Sequence, residues 1–231
     1  PSIAHASAGA TVIVNCSASD EVTGKSEYRR SLISGQSARL LCAYIYANAG
    51  EGESSQDLVF GGQNIIAENG NILSESARFE NQTIYADIDL ERLECERRRM
   101  TTYQTEGRED YRFVSFTLDR KPLALERAID PTPFVPHDAG SRNRRCEEIL
   151  SIQAMGLKKR LEHTGSQHAV VGLSGGLDST LALLVTVRAF DALKLPRTNI
   201  HCITMPCFGT TDRTYNNACA MAAKVGAELR E

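Results

Sequence analysis

Residues Val170–Leu184 read V-V-G-L-S-G-G-L-D-S-T-L-A-L-L, and no other segment constrains the chain as tightly. A short apolar run stops at Ser174-Gly175-Gly176-Leu177-Asp178-Ser179, and apolar residues then recur at helical spacing. The layout predicts a strand, a glycine-rich turn and a helix N-terminus. The first turn of a helix leaves backbone N–H groups unpaired, and its dipole favours negative charge there. Glycines let the backbone approach an anion where a Cβ would collide. Ser174, Ser179 and Thr180 add hydroxyl donors. Such a turn suits the cradling of a phosphate or pyrophosphate. Asp178 would repel a bare phosphate, so its place in the turn points to a Mg²⁺ ion bridging carboxylate and phosphate. The turn is not a Walker loop, since no G-x-x-x-x-G-K-[ST] is present.

The rest of the chain surrounds this turn with further α/β signals. Ala10–Asn15 is an apolar run that predicts a buried strand. Ser26–Asn48 carries a helical pattern, with Ala38, Leu41, Cys42 and Ile45 on one side. A loop is expected at 50–55. Asn64–Glu68 and Asn71–Ser74 flank Asn69-Gly70, which predicts a hairpin with a type I′ turn. Thr83–Asp89 alternates, with Ile84, Ala86 and Ile88 inward, and Arg112, Val114, Phe116 and Leu118 share one face of a further expected strand. Leu90–Tyr103 reads as a helix on which Arg97, Arg98 and Arg99 form a solvated face.

Prolines 122, 131, 133 and 136 with Gly140 break regular structure and predict a connection over 119–141 between two domains, 1–118 and 142–231. Arg142–His163 is expected to be a long amphipathic helix carrying Leu150, Ala154, Leu157 and Leu161 on one face. Ile200–Met205 and Thr214–Val225 supply a second strand and helix, so the second domain opens as a doubly wound βαβ fold. Residue 1 is Pro, and the final residues lead toward another strand; both ends are expected to be cuts in a longer protein.

Composition narrows the partners. A net charge of −3 over 231 residues gives no basic surface for nucleic acid. No apolar run approaches the ~20 residues of a membrane helix. Seven cysteines, at 16, 42, 95, 146, 202, 207 and 219, form no C-x-x-C. They read as reduced, buried thiols of a cytoplasmic protein, not as a zinc site. Cys16 follows an apolar strand with no histidine around it, so it is expected to be a small core residue and not a nucleophile.

The turn S-G-G-L-D-S resembles the pyrophosphate loop of ATP-pyrophosphatases, which cleave ATP between its α and β phosphates and adenylate a substrate. Further pieces resemble the glutamine-dependent NAD synthetase family. These are Thr204-Met205-Pro206-Cys207-Phe208-Gly209-Thr210, Asp212-Arg213-Thr214-Tyr215-Asn216-Asn217, Pro133-Phe134-Val135-Pro136 and Arg145-Cys146-Glu147-Glu148-Ile149. Upstream, A-G-A-T-V-I-V-N-C-S-A-S at 8–19 and A-N-A-G-E-G-E-S at 47–54 resemble the later half of a nitrilase-type glutaminase. The implied fold is the C-terminal part of a nitrilase-like αββα sandwich, followed by the start of a doubly wound parallel-sheet domain of the adenine nucleotide alpha hydrolase type.

The resemblance implies amidation of deamido-NAD to NAD through an adenylated intermediate, with ammonia from glutamine, ATP and Mg²⁺. The family's glutaminase triad of Glu, Lys and Cys would precede residue 1, so the piece alone is expected to be inactive. Ser19 and Lys25 match positions that hold glutamine. Gly172, Leu173, Ser174, Gly175, Gly176, Leu177, Asp178, Ser179 and Met205 match those that line ATP, with Asp178 the metal ligand. Arg160 matches a basic residue that reaches a deamido-NAD bound beside a neighbouring subunit, which implies a homo-oligomer. Cys207 stands where the family has a glycine; if that position had positive φ, a cysteine there would be strained. A ligase with another acceptor, such as a GMP synthetase, shares the loop; the nitrilase-like half argues against it.

Overall fold

The computed structural model describes residues 1–54, 56–107, 111–119, 122 and 124–231. It divides the chain into two units, Pro1–Ile129 and Asp130–Glu231. The end of the expected 50–55 loop, parts of the expected 119–141 connection and residues 108–110 of the expected first domain lie outside the described residues.

The first unit is built on a four-stranded sheet in the order β1-β2-β3-β4. Its strands are β1 (Val12–Ser17), β2 (Ala43–Asn48), β3 (Ile65–Glu68) and β4 (Asn71–Glu75). β1 and β2 run parallel, with Val12 opposite Ala43 and Ser17 opposite Asn48. β3 and β4 continue antiparallel. The hairpin between them turns at Asn69 and Gly70, whose φ angles of 43° and 88° are the pair a type I′ turn needs. A parallel pair needs a crossover, and α2 (Lys25–Arg39) supplies it. Together with the short helix α1 (Ser2–Ser7), α2 covers a core of Ala6, Ile13, Ile33, Leu40, Cys42, Tyr44, Tyr46, Ile65 and Ala67.

Several expectations fail in this unit. The helical pattern of Ser26–Asn48 does not run through: α2 ends at Arg39, Leu41 takes φ 46°, and Ala43–Asn48 is a strand. Ala38, Leu41, Cys42 and Ile45 fit a helical stripe, but Tyr44, Ile45 and Tyr46 are also good strand formers, and pairing on β1 and β3 decides between the two. β1 is a sheet edge and only half-buried: Ile13 is in the core, whereas Val14 is 61% exposed. Cys16 is exposed too, so it is not the core residue expected from the sequence. Neither 83–89 nor 112–118 forms a strand. Their alternation matches an extended chain, but a strand also needs a hydrogen-bonded neighbour.

The helix expected over Leu90–Tyr103 is α3 (Leu90–Arg99), capped by the Asp89 carboxylate accepting from Arg92 N–H at 2.9 Å. Arg97 is not part of a solvated face. It donates to the Leu41, Ala10 and Leu40 carbonyls at 2.9, 2.7 and 3.1 Å and lies over the Tyr103 ring. Carbonyls at a helix C-terminus lack partners within the helix, and Arg97 satisfies those that follow α2. Glu68, buried on β3, is met by both nitrogens of Arg127 at 2.6 and 2.8 Å.

The second unit carries a three-stranded parallel sheet, β5 (Ala169–Gly172), β6 (Ile200–Ile203) and β7 (Glu228–Arg230), in that order. The long helix α4 (Ala139–Thr164) starts at an Asp138 cap and stops at Gly165, φ 68°. α5 (Leu177–Leu193) and α6 (Asp212–Val225) are the crossovers between successive strands. Arg188 of α5 clasps Glu147 of α4 through two bonds of 2.6 and 2.9 Å. Leu161, Leu173, Leu183, Phe190, Ile200, Cys202, Ala218 and Ala222 are central to the core. Consecutive strand order with parallel helical crossovers is one half of a doubly wound sheet.

Candidate functional site

The glycine-rich turn joins β5 to α5 at the carboxyl edge of the parallel sheet. Leu173 is buried, and its N–H donates to the Ile203 carbonyl at 2.8 Å, so β5 and β6 end level with each other. Of the residues expected to line a nucleotide, Leu173 therefore offers backbone only. Ser174 and Ser179 bridge the turn through their hydroxyls at 3.1 Å, and Gly176 N–H donates to Ser174 Oγ at 3.3 Å. Gly175 has φ 81°, and a Cβ there would lie 1.9 Å from the Thr214 carbonyl of α6. Gly176 has φ −86° and a Cβ there would meet only Ser174 Oγ, at 3.5 Å.

Three of the helices are capped by a side chain: α3 by Asp89, α4 by Asp138 and α6 by Thr211. α5, like α2 at Gly24, begins at a glycine, Gly176, which has no side chain to offer. Its first-turn N–H groups are left for something from outside, and the helix dipole adds to their pull on an anion. Asp178 stands in this first turn, exposed. Among the described residues no cluster of three or more His, Cys, Asp or Glu could hold a metal. A single carboxylate fits Mg²⁺, which keeps most of its waters and binds through one or two carboxylates together with substrate phosphates.

Met205 follows β6 by two residues and is 76% exposed at the same sheet edge as the turn. Cys207 beside it does not have positive φ, so the cysteine carries no backbone strain. Its thiol is held below the ordinary range by hydrogen bonds from the Gly209 backbone and Thr210. Arg160 is not gathered in. It lies exposed four residues before the end of α4, on the side of β5 where the strand begins, whereas the glycine turn is where β5 ends.

A cavity of about 980 Å³ opens between the start of α5 and one face of α6, lined by Gly175, Gly176, Thr180, Arg213, Asn217 and Lys224. No motif in the sequence assigns the last three a role. Their spacing carried a signal: they share the side of α6 that its buried residues, Ala218 and Ala222, leave open.

In the first unit, Ser19 and Lys25 lie in the loop and first helical turn that follow β1. Asn48, the last residue of β2, holds Ser19 by both backbone groups: Ser19 N–H donates to Asn48 Oδ1 at 2.9 Å, and Asn48 Nδ2 donates to the Ser19 carbonyl at 3.0 Å. Lys25 Nζ contacts Asp20 Oδ1 at 2.5 Å, and this bond holds the Asp20 carboxyl below its ordinary range. Ser19 Oγ accepts from Arg29 at 3.3 Å, which leaves its hydroxyl hydrogen to donate elsewhere. Arg29 itself was not singled out in the sequence. The signal available was its place four and eight residues before Ile33 and Ser37, on the buried stripe of α2.

Residues 1–98 match the carbon-nitrogen hydrolase family and residues 149–231 match the NAD synthase family. Over its whole length the chain is 42% identical to glutamine-dependent NAD(+) synthetases of Mycobacterium tuberculosis and Mycobacterium leprae. It is 26% identical, over 96% of its length, to that of Aquifex aeolicus. The chain spans 35–36% of the length of these relatives.

Proposed function

We propose, from the premise that residues 1–98 are of the carbon-nitrogen hydrolase family and residues 149–231 of the NAD synthase family, that this chain serves the glutamine-dependent amidation of deamido-NAD to NAD. The observation that carries the reading is the uncapped start of α5, with Asp178 beside it, at the carboxyl edge of a parallel sheet. ATP binds with its phosphates against the first-turn N–H groups of α5 and the Ser174 and Ser179 hydroxyls. A Mg²⁺ ion held there would supply neutralisation of the charge on the departing pyrophosphate. Asp178 would be its protein ligand. Met205 presents backbone groups to the adenine. The turn's fixed donors stabilise charge that develops as the α–β bond breaks.

Adenylation turns the nicotinate carboxylate into an electrophile with a good leaving group. Ammonia then forms the amide bond and AMP leaves. Ser19 and Lys25 hold the glutamine from which that ammonia comes, Lys25 as a charge-assisted donor to a carboxylate. Arg160 serves a deamido-NAD bound beside a neighbouring subunit of a homo-oligomer. The reaction belongs to the cytoplasm; no helix among the described residues is long and apolar enough to cross a membrane.

The test is the full-length gene product supplied with ATP and deamido-NAD, with glutamine and then with ammonia. NAD should form with either donor. Amidation of XMP with no use of deamido-NAD would replace this reading with a GMP synthetase-like one.

A further inference from the structure

Arg29 is a charged side chain almost wholly removed from water, with 3% of its surface exposed. A buried guanidinium needs partners for its donors; both Nη groups of Arg29 have them, whereas its Nε has none. One arm of the fork, Nη1, meets Glu21 Oε1 at 2.8 Å and the Gln63 side-chain oxygen. These partners are themselves fixed. Gln63, 1% exposed, donates to Ser26 Oγ at 3.0 Å and Glu75 Oε1 at 2.7 Å. Glu21 lies where a Cβ on Gly61 would stand 2.5 Å from its Oε1, so that glycine makes room for it.

The other arm reaches the same loop further back, since Glu21 too lies between β1 and α2. Nη2 reaches the Ser19 carbonyl at 3.4 Å, Ser19 Oγ at 3.3 Å and the Asp20 carbonyl at 3.4 Å. All three acceptors belong to the loop between β1 and α2. Arg29 lies one helical turn beyond Lys25 on α2, and Asp20 is the partner of Lys25 Nζ. A single rigid fork thus ties the loop that carries Ser19 to the helix that carries Lys25, and anchors both to Gln63 beside β3.

We infer that Arg29 is a positioning residue for the amide donor: through Ser19 and Asp20 it sets the spacing between the Ser19 hydroxyl and the Lys25 ammonium. The inference rests on the assignment of those two residues to glutamine. Groups that bind a small substrate must be held within about 0.5 Å of their working geometry, by neighbours whose own positions are locked. The planar fork does this and a lysine cannot, because one ammonium does not span two sets of acceptors.

The experiment uses the full-length gene product with Arg29→Lys, Arg29→Met, Lys25→Ala and the double change Arg29→Lys with Lys25→Ala. KM for glutamine, kcat with glutamine, and the ammonia-driven rate are measured for each. Arg29→Lys should raise KM for glutamine about tenfold or more, as expected for losing hydrogen bonds of a charged group, with the ammonia-driven rate unchanged. The double change should be little worse than Lys25→Ala alone, because both act on one geometry. Equal loss with both donors would assign Arg29 to general stability and overturn the inference, as would an unchanged KM or purely multiplicative effects. If Arg29→Met does not fold, Arg29→Lys and the milder Glu21→Gln, which removes the charged partner of Nη1 within the same loop, carry the same readouts. If Lys25→Ala leaves glutamine use untouched, the glutamine assignment itself has failed, and that result is separate from any shown by Arg29.

Discussion

At Asp178 the sequence and the structure meet in a single carboxylate. It stands exposed in the first turn of α5, next to N–H groups that no side chain caps. Asp178→Asn in the full-length gene product should cut NAD formation by about a hundredfold or more, since metal stabilisation of transferring phosphate charge is worth several kcal/mol. Glutamine hydrolysis should persist. A mutant that made NAD at the wild-type rate would remove Asp178 from the site. Lys25 gives the opposite separation. Lys25→Ala should weaken glutamine use roughly ten- to a hundredfold, the worth of a hydrogen bond to a charged group, and spare synthesis from added ammonia. The ratio of the two rates at limiting donor checks it; an unchanged ratio would make Lys25 an ordinary surface residue paired with Asp20. Both residues are singled out by motif position, and these variants test their roles. Arg29 is not, because a lone arginine in a helical pattern looks solvated until the loop it clasps is seen beside it.

Among the elements, the second unit was the easier to read. Its helices are long, its first two strands short and mostly apolar, and its stops are marked by Gly165 and Gly226, φ 68° and 78°. Its caps are testable one at a time. Thr211 accepts from Thr214 N–H at the start of α6. Thr211→Ala should cost that helix about 1 kcal/mol, seen as faster hydrogen exchange confined to its first turn. No change in exchange there would mean that the cap is idle. The first unit was harder because local patterns compete. Ala43–Asn48 satisfies helical spacing as well as strand propensity, and only its two neighbouring strands decide. Residues 83–89 show the reverse: an alternating pattern that pairs with no strand among the described residues. Periodicity reports which side of a segment is apolar, whereas pairing depends on chain far away in sequence.

For the molecule as a whole, each unit has its own core, and the charged residues buried among the described residues, Arg29 and Glu68, both lie in the first. In the first, burial alone would raise the Glu68 carboxyl, but hydrogen bonds from Arg127 and the Asp89 N–H outweigh it and hold the group below its ordinary value of 4.5. A carboxyl held low in the folded state contributes stability above its unfolded value. That contribution is lost as pH falls through the lower folded value. The first unit should therefore loosen in acid, below about pH 4, and Glu68→Gln should flatten that part of the profile. Near-ultraviolet circular dichroism of the tyrosines around β2 follows it. An acid profile identical in Glu68→Gln would assign the loss to other carboxylates. The α/β class of both units was legible in the sequence. The distant partners of Glu68 and Arg97 were not, because such bonds join residues 59 and 87 positions apart and leave no periodic trace.

The two adjacent glycines of the turn are alike in sequence and unlike in what they answer to. Position 175 is closed by the chain itself, through its φ of 81° and the Thr214 carbonyl. Position 176 is open in both respects. A library randomised at both codons and screened only for soluble expression should return glycine at 175 and a mixture at 176. The same library selected for growth without an external source of NAD should return glycine at both. The difference between the two outcomes would separate what the polypeptide demands of its own backbone from what its visitor demands of it.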